Sequence, residues 1–204
     1  MIRKFIIAIL ILALALALGL LGANHYWTHR YDNLIITIAQ KYKLDPALVK
    51  SVIYAESYFD PQARSPQNAV GLMQVTPIAA QEWIDSTHSH NLSEALLTLS
   101  DEYKNQPEPK LETMLNDPVV NMNIGCWYLQ SLLNRYRTKP DSISVALAAY
   151  NAGPANVERW ADDAQLSKLS REEFIAQIEF PVTRNYVQKI LERFAAYKMQ
   201  CGIG

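Results

Sequence analysis

The chain has 204 residues, 19 Lys and Arg against 20 Asp and Glu, and a formal charge of −1. With no run of one sign, it lacks the basic footprint of a nucleic-acid binder and the acidic tail of an interaction arm. Seven glycines against eleven tyrosines disfavour a turn-rich β-sandwich.

Arg3 and Lys4 precede an uncharged run from Phe5 to Ala23. Its length is close to the ~20 residues a helix needs to cross the hydrocarbon core. Basic residues before the run place the N-terminus in the cytoplasm and the following domain outside. The apolar core is longer than the roughly 7–15 residues of a cleaved signal peptide, and Leu21-Gly22-Ala23 matches a cleavage site poorly. Residues 1–24 are therefore expected to be an uncleaved, single-pass membrane anchor, with residues 5–23 in the membrane. Residues 30–200 are the exported domain, of a size that suits one core.

Almost all of the exported part reads as helix. Leu34, Ile35, Ile38, Ala39 and Tyr42 recur at helical spacing. Asp45-Pro46 opens a second helix through LVKSVIYAES, with Asp as N-cap and Pro in the first turn. Residues 61–70 read as loop, and Thr76-Pro77 opens another helix. The polar stretch from Ser86 to Lys110, with Pro107 and Pro109, belongs to a longer excursion at about 84–115. Helices are expected over Asn121–Tyr136, over Ser142–Tyr150 with a stop at Gly153-Pro154, and over Thr183–Met199. There is no alternating strand pattern and no internal repeat, so the fold class is mostly α.

Cys126 and Cys201 form no metal-ligand cluster, which argues against a zinc site. Free thiols and an exported disulfide both remain open for them. No metal and no cofactor is expected.

The chemical anomaly lies in the second helix. At ~100° per residue, Glu56 falls within the arc of Leu48, Val49, Val52 and Ile53, opposite Lys50, Ser51, Tyr54 and Ser57. A carboxylate on a core-facing stripe is costly unless paired or protonated. Burial raises its pKa, and an acid still protonated near neutral pH can donate to a leaving oxygen. A structural glutamate satisfied by an Arg or by backbone is the alternative.

Five ordered segments bear on that choice. They are Ala55-Glu56-Ser57 with Arg64-Ser65-Pro66; Ala69-Val70-Gly71-Leu72-Met73-Gln74-Val75-Thr76-Pro77; Asn116-Asp117-Pro118 with Asn121-Met122-Asn123-Ile124-Gly125 and Tyr128-Leu129; Ala148-Ala149-Tyr150-Asn151-Ala152-Gly153-Pro154; and Thr183-Arg184-Asn185-Tyr186-Val187. From Leu34 to Met199 the chain resembles the lytic transglycosylase domain of the soluble (SLT) type, which has a goose-lysozyme-like fold. The resemblance implies a peptidoglycan-cleaving enzyme that forms a 1,6-anhydro-muramic acid end, with Glu56 as sole acid/base. It places Ser65, Gln74 and Tyr150 against the glycan strand, with Asn151 either touching it or holding the Tyr150 turn, Tyr128 and Tyr186 either lining the groove or packing, and Met73 as core.

The resemblance has two departures. The family's closing motif usually reads Ile-Pro-Phe-x-Glu-Thr-Arg. Here Ile178-Glu179-Phe180-Pro181-Val182-Thr183-Arg184 puts Val182 at the glutamate and Glu179 at the proline, so Glu179 is a candidate partial substitute. The excursion at 84–115 is also longer than a compact family core needs. A hydrolytic lysozyme on the same fold would need a second carboxylate facing Glu56. Asp60, Glu82 and Asp85 are the candidates, each expected to be a surface charge. A non-catalytic envelope-binding protein would have no reason to keep an acid on an apolar face.

Overall fold

The computed structural model describes residues 2–87, 89, 92–99 and 110–200. The chain divides into two compact units, Met1–Asp32 and Asn33–Gly204. The first holds α1 (Ile2–His29), one continuous helix through the apolar run. Its leucines and isoleucines are exposed from Phe5 to Leu21. This segment is long and apolar enough to cross a membrane, by length and composition.

The second unit carries α2 (Asp32–Lys41), α3 (Pro46–Ser57), α4 (Pro77–Ser86), α5 (Leu92–Leu97), α6 (Leu111–Met114) and α7 (Pro118–Arg135). It continues with α8 (Ser142–Ala152), α9 (Pro154–Trp160), α10 (Asp163–Leu166), α11 (Arg171–Gln177) and α12 (Pro181–Gln200). Three of these helices start in the same way. Asp45, Thr76 and Asp117 each precede a proline and accept a bond from the first turn, from Ala47 N (2.9 Å), Ala79 N (3.2 Å) and Val119 N (2.7 Å). Proline presets the first helical φ, and the cap satisfies an N–H that has no intrahelical acceptor. Asp117 explains why α7 begins three residues before the expected Asn121.

Among the described residues there is no strand, only isolated bridges at Arg64–Val70 and Val70–Val75. The first lies within the expected loop at 61–70, and the second joins the end of that loop to Val75. Helix α8 runs through the centre and is buried from Ser144 to Ala149. It packs on α7, α9 and α12, while α12 also lies along α3. That sandwich corrects the helical wheel at one position. Ser51, on the supposed polar face, is fully buried, and its hydroxyl donates back to Ala47 O at 2.7 Å.

Cys126 is a buried free cysteine. Cys201, and residues 100–109 of the excursion at 84–115, lie outside the described residues.

Candidate active site

Glu56 sits in the last turn of α3, and the chain reverses immediately after it. Tyr58 and Phe59 both take left-handed φ values, 51° and 63°. Such values cost a non-glycine residue roughly 1–2 kcal/mol each, and they persist only where the surroundings enforce them. Phe59, buried completely, anchors the reversal. Ser57 fixes it from the other side by donating to Leu72 O at 2.8 Å. The Glu-Ser pair thus joins the acid to the loop that faces it.

That loop is built around Met73. Its N–H donates to Asn121 Oδ1 (2.8 Å) and its carbonyl accepts from Tyr150 Oη (2.8 Å). Asn121, fully buried in α7, also donates to Val70 O (2.7 Å) and Leu115 O (2.8 Å). Two of these three bonds hold the loop backbone, and the third ties it to the segment that leads into α7. Gly71, at φ +78°, passes so close that a Cβ would lie 2.4 Å from Asn121 Nδ2 and 2.5 Å from Leu115 O. The Met73 side chain is core, as expected, and packs on Gly125 of α7. Asn121 and Ser57 are the positioning residues that the sequence reading did not single out. Asn121 carried a signal, a polar residue inside an otherwise apolar helical segment; Ser57 sat on the polar side of its helix and carried none.

The Glu56 carboxylate accepts a hydrogen bond from Tyr186 Oη at 2.6 Å. Glu56 is half-buried, and burial around its carboxyl pushes the pKa up to about 7 while the Tyr186 bond pulls it down. Desolvation thus raises this acid, and no neighbouring carboxylate does. The Tyr150 and Tyr186 hydroxyls are pushed well above their ordinary value, first by burial and next by the Glu56 charge. Both stay neutral donors across the physiological range.

Beside Glu56 lies a cleft of about 280 Å³, lined by Gln74, Glu82, Gly125, Tyr128, Tyr150 and Asn151 among others. The Tyr128 and Tyr150 rings are 5.5 Å apart and offer faces on which a sugar ring can stack. Gln74, left-handed at φ 46°, spends its amide N–H groups on Ala63 O (3.1 Å) and Gly71 O (3.0 Å). Asn151 Oδ1 accepts from Thr183 Oγ1 at 2.7 Å, which ties the end of α8 to α12. Ser65 Oγ accepts from Gln67 N (3.2 Å) and Ala69 N (3.1 Å), so it braces its own turn outside the cleft lining.

Of the three candidate second carboxylates, Asp60 caps a turn through Gln62 N (2.9 Å), and exposed Asp85 accepts from Gln81 (2.9 Å). Glu82 is exposed, yet it lines the cleft, and its charge helps burial to push the Tyr128 phenol up. Glu179 pairs with Arg159 at 3.2 Å, both being about half exposed. Val182 is 75% exposed.

Comparison with known proteins bears on the chain as a whole. Residues 33–171 match the family model described as "Transglycosylase SLT domain". The chain belongs to this family. Among its relatives is the soluble lytic murein transglycosylase of Salmonella typhimurium, 27% identical over 86% of this chain and 25% of that protein. Membrane-bound lytic murein transglycosylase C of Haemophilus influenzae is 34% identical over 69% of this chain and 37% of that protein. A glutamate-to-glutamine mutant of the lytic transglycosylase Slt from Pseudomonas aeruginosa, described as inactive, superposes with a TM-score of 0.63 at 26% identity. The superposition covers 82% of this chain and 24% of that one. The SLT chain described here therefore spans between 24% and 37% of the length of these relatives.

Proposed function

We propose that this SLT domain is a lytic transglycosylase that cleaves the β-1,4 bond from N-acetylmuramic acid to N-acetylglucosamine in peptidoglycan. The observation that carries the reading is the Glu56 carboxyl, raised to about 7 by burial, with a hydrogen bond from Tyr186. Most glycosidases use two carboxylates, and substrate-assisted ones need a single one. Protonated Glu56 gives its proton to the bridging oxygen as the C1–O bond breaks. The 2-acetamido oxygen of the muramic acid supports the charge developing at C1. Ionised Glu56 then takes the proton of the sugar's own C6 hydroxyl, whose oxygen bonds to C1. A 1,6-anhydro sugar forms and no water is consumed. The tethered hydroxyl has an effective molarity of about 10⁵ M or more, against ~55 M for water.

Tyr128, Tyr150, Asn151 and Gln74 hold the glycan in the cleft, with Ser65 supporting the loop at its edge. Tyr186 orients the acid. Helix α1 anchors the domain to the membrane, a reading that a relative named membrane-bound supports; the basic residues before the apolar run put the N-terminus in the cytoplasm and the catalytic unit outside.

Glu82 favours a second reading. As a cleft-lining carboxylate it could order a water for hydrolysis, which would make the protein a lysozyme. Mass spectrometry of the ends released from purified sacculi separates the two. Anhydro ends, lighter by one water and resistant to borohydride, are expected. Mostly reducible, hydrated ends would overturn the transglycosylase reading.

A further inference from the structure

Two side-chain amides line the tyrosine-lined cleft, Gln74 and Asn151, and they spend their donors differently. Gln74 gives its N–H groups to Ala63 O and Gly71 O. The Tyr150 hydroxyl is likewise taken, by Met73 O. Asn151 is exposed at the cleft wall and accepts one bond, 2.7 Å long, from Thr183 Oγ1. Among the described residues, no protein acceptor takes a bond from its Nδ2. A glycan presents hydroxyl and acetamido carbonyl oxygens, which are acceptors. Asn151 is the amide left to meet them.

Thr183 decides which end of that amide faces outward. It sits in the first turn of α12 and is 2% exposed. In mid-helix a threonine hydroxyl can bond back to a carbonyl three or four residues earlier. Here those residues are Phe180 and Glu179, which precede the helix, and the hydroxyl turns to α8 instead. It has no other acceptor among the described residues, so an amide that offered it the NH2 group would strand a buried O–H. The positive pole at the start of this 20-residue helix also favours the amide oxygen on its side. Both effects set Oδ1 inward and Nδ2 towards the cleft. No other side chain of that first turn shares this role. Pro181 and Val182 carry no polar group, and Arg184 bonds to Ile178 O and Ala176 O.

We propose that Thr183 is a positioning residue for glycan binding, its hydroxyl locking the Asn151 amide so that the Nδ2 donor points at an acceptor oxygen of the sugar. The inference rests on the reading of the site as peptidoglycan-cleaving. Asn151 touches the strand, and Thr183 acts through Asn151 from the core. An amide left unlocked turns its oxygen to the sugar for part of the time, and one acceptor facing another repels it.

The test uses soluble glycan strands released from sacculi, cleaved by the full chain as wild type and as variants at Thr183 and Asn151. Thr183→Val keeps the branched shape and removes the hydroxyl. It should raise KM about fivefold, the scale of one neutral hydrogen bond. The contact is made in substrate and transition state alike, so kcat should be kept. Thr183→Ser should restore KM. In an Asn151→Ala background, Thr183→Val should leave KM where Asn151→Ala alone puts it, because no amide remains to be oriented. Asn151→Asp retains the bond from Thr183 and replaces only the Nδ2 donor, so it should raise KM with the α8–α12 contact intact. A wild-type KM in folded Thr183→Val or in Asn151→Asp, or KM losses that add in the double variant, would overturn the positioning role while leaving the catalytic reading intact. Failure of the wild type to cleave the strands would overturn the catalytic reading and this one with it.

Discussion

The Tyr186 hydroxyl donates to Glu56 Oε1 at 2.6 Å across the junction of α12 and α3. This bond opposes burial, because it favours the ionised carboxylate. Tyr186→Phe removes it without opening a cavity. The Glu56 pKa should rise, by about one unit for a hydrogen bond to a charged group. The alkaline limb of kcat/KM against pH should move up by that amount, with only a modest loss at its plateau. A limb that stays put, or moves down, would remove Tyr186 from the control of the acid.

Glu56→Gln keeps shape and an acceptor for Tyr186 but cannot give a proton. Turnover should fall at least about 10³-fold. Its stability should depend on pH in a defined sense. The folded carboxyl keeps its proton up to about 7, while the unfolded one releases it near 4.5. Between these values the native state binds the extra proton, so wild-type stability falls as pH rises and levels off above about 7, by at most about 3 kcal/mol. The glutamine variant lacks that fall. Thermal unfolding should show the two proteins alike at pH 4 and the variant more stable at pH 8. The opposite ordering at pH 8 would mean that the ionised carboxylate is well solvated.

Gly71 cannot carry a side chain. An added Cβ meets Asn121 Nδ2 at 2.4 Å and Leu115 O at 2.5 Å, at a left-handed φ of +78°. Gly71→Ala should cost about 2–4 kcal/mol, a drop in Tm of roughly 5–15 °C for a domain of this size. Calorimetry checks it. A drop of a degree or less would show that the loop can retreat from α7.

Tyr150→Phe separates two roles of one residue. Loss of the bond to Met73 O should cost about 1 kcal/mol of stability. If the hydroxyl also meets the glycan, kcat/KM falls by more than that loss of stability explains while the variant remains folded. Unfolding and kinetics measured on one preparation give the answer, and wild-type kinetics would confine Tyr150 to bracing the loop.

Helix α1 yields a prediction about place. Fractionation of cells should recover the intact chain with membranes, and N-terminal sequencing should read from its own first residues. A mature chain starting near residue 24 in the soluble exported fraction would show cleavage instead of anchorage.

The helices legible in the sequence were those with a cap and a stripe. Asp45-Pro46, Thr76-Pro77 and Gly153-Pro154 each mark a boundary that the fold keeps. Glu56 was legible because its carboxylate interrupts an apolar stripe. What escaped was chemistry between distant segments. Asn121 lies 48 positions from Met73 and 51 from Val70, and nothing in either local pattern announces that one amide will satisfy both. Glu82 read as surface and is exposed, but only the packing of α4 on α7 brings it to the cleft. Glu179 read as a candidate for the missing closing-motif glutamate, and its partner turned out to be Arg159 on the surface. Helices α9, α10 and α11 are short, and apolar periodicity is faint over so few turns.

Beneath the loop, Cys126 Sγ lies 3.8 Å from Met73 Sδ, and burial pushes the thiol well above its ordinary pKa. Alkylating reagents attack thiolates that they can reach, so the native protein hides this sulfur twice over. Labelling at Cys126 can then proceed only when the packing around it, the Met73 contact included, opens. The residue is a built-in chemical clock, whose labelling rate, read by peptide mapping, times how often the packing between α7 and the Met73 loop breathes.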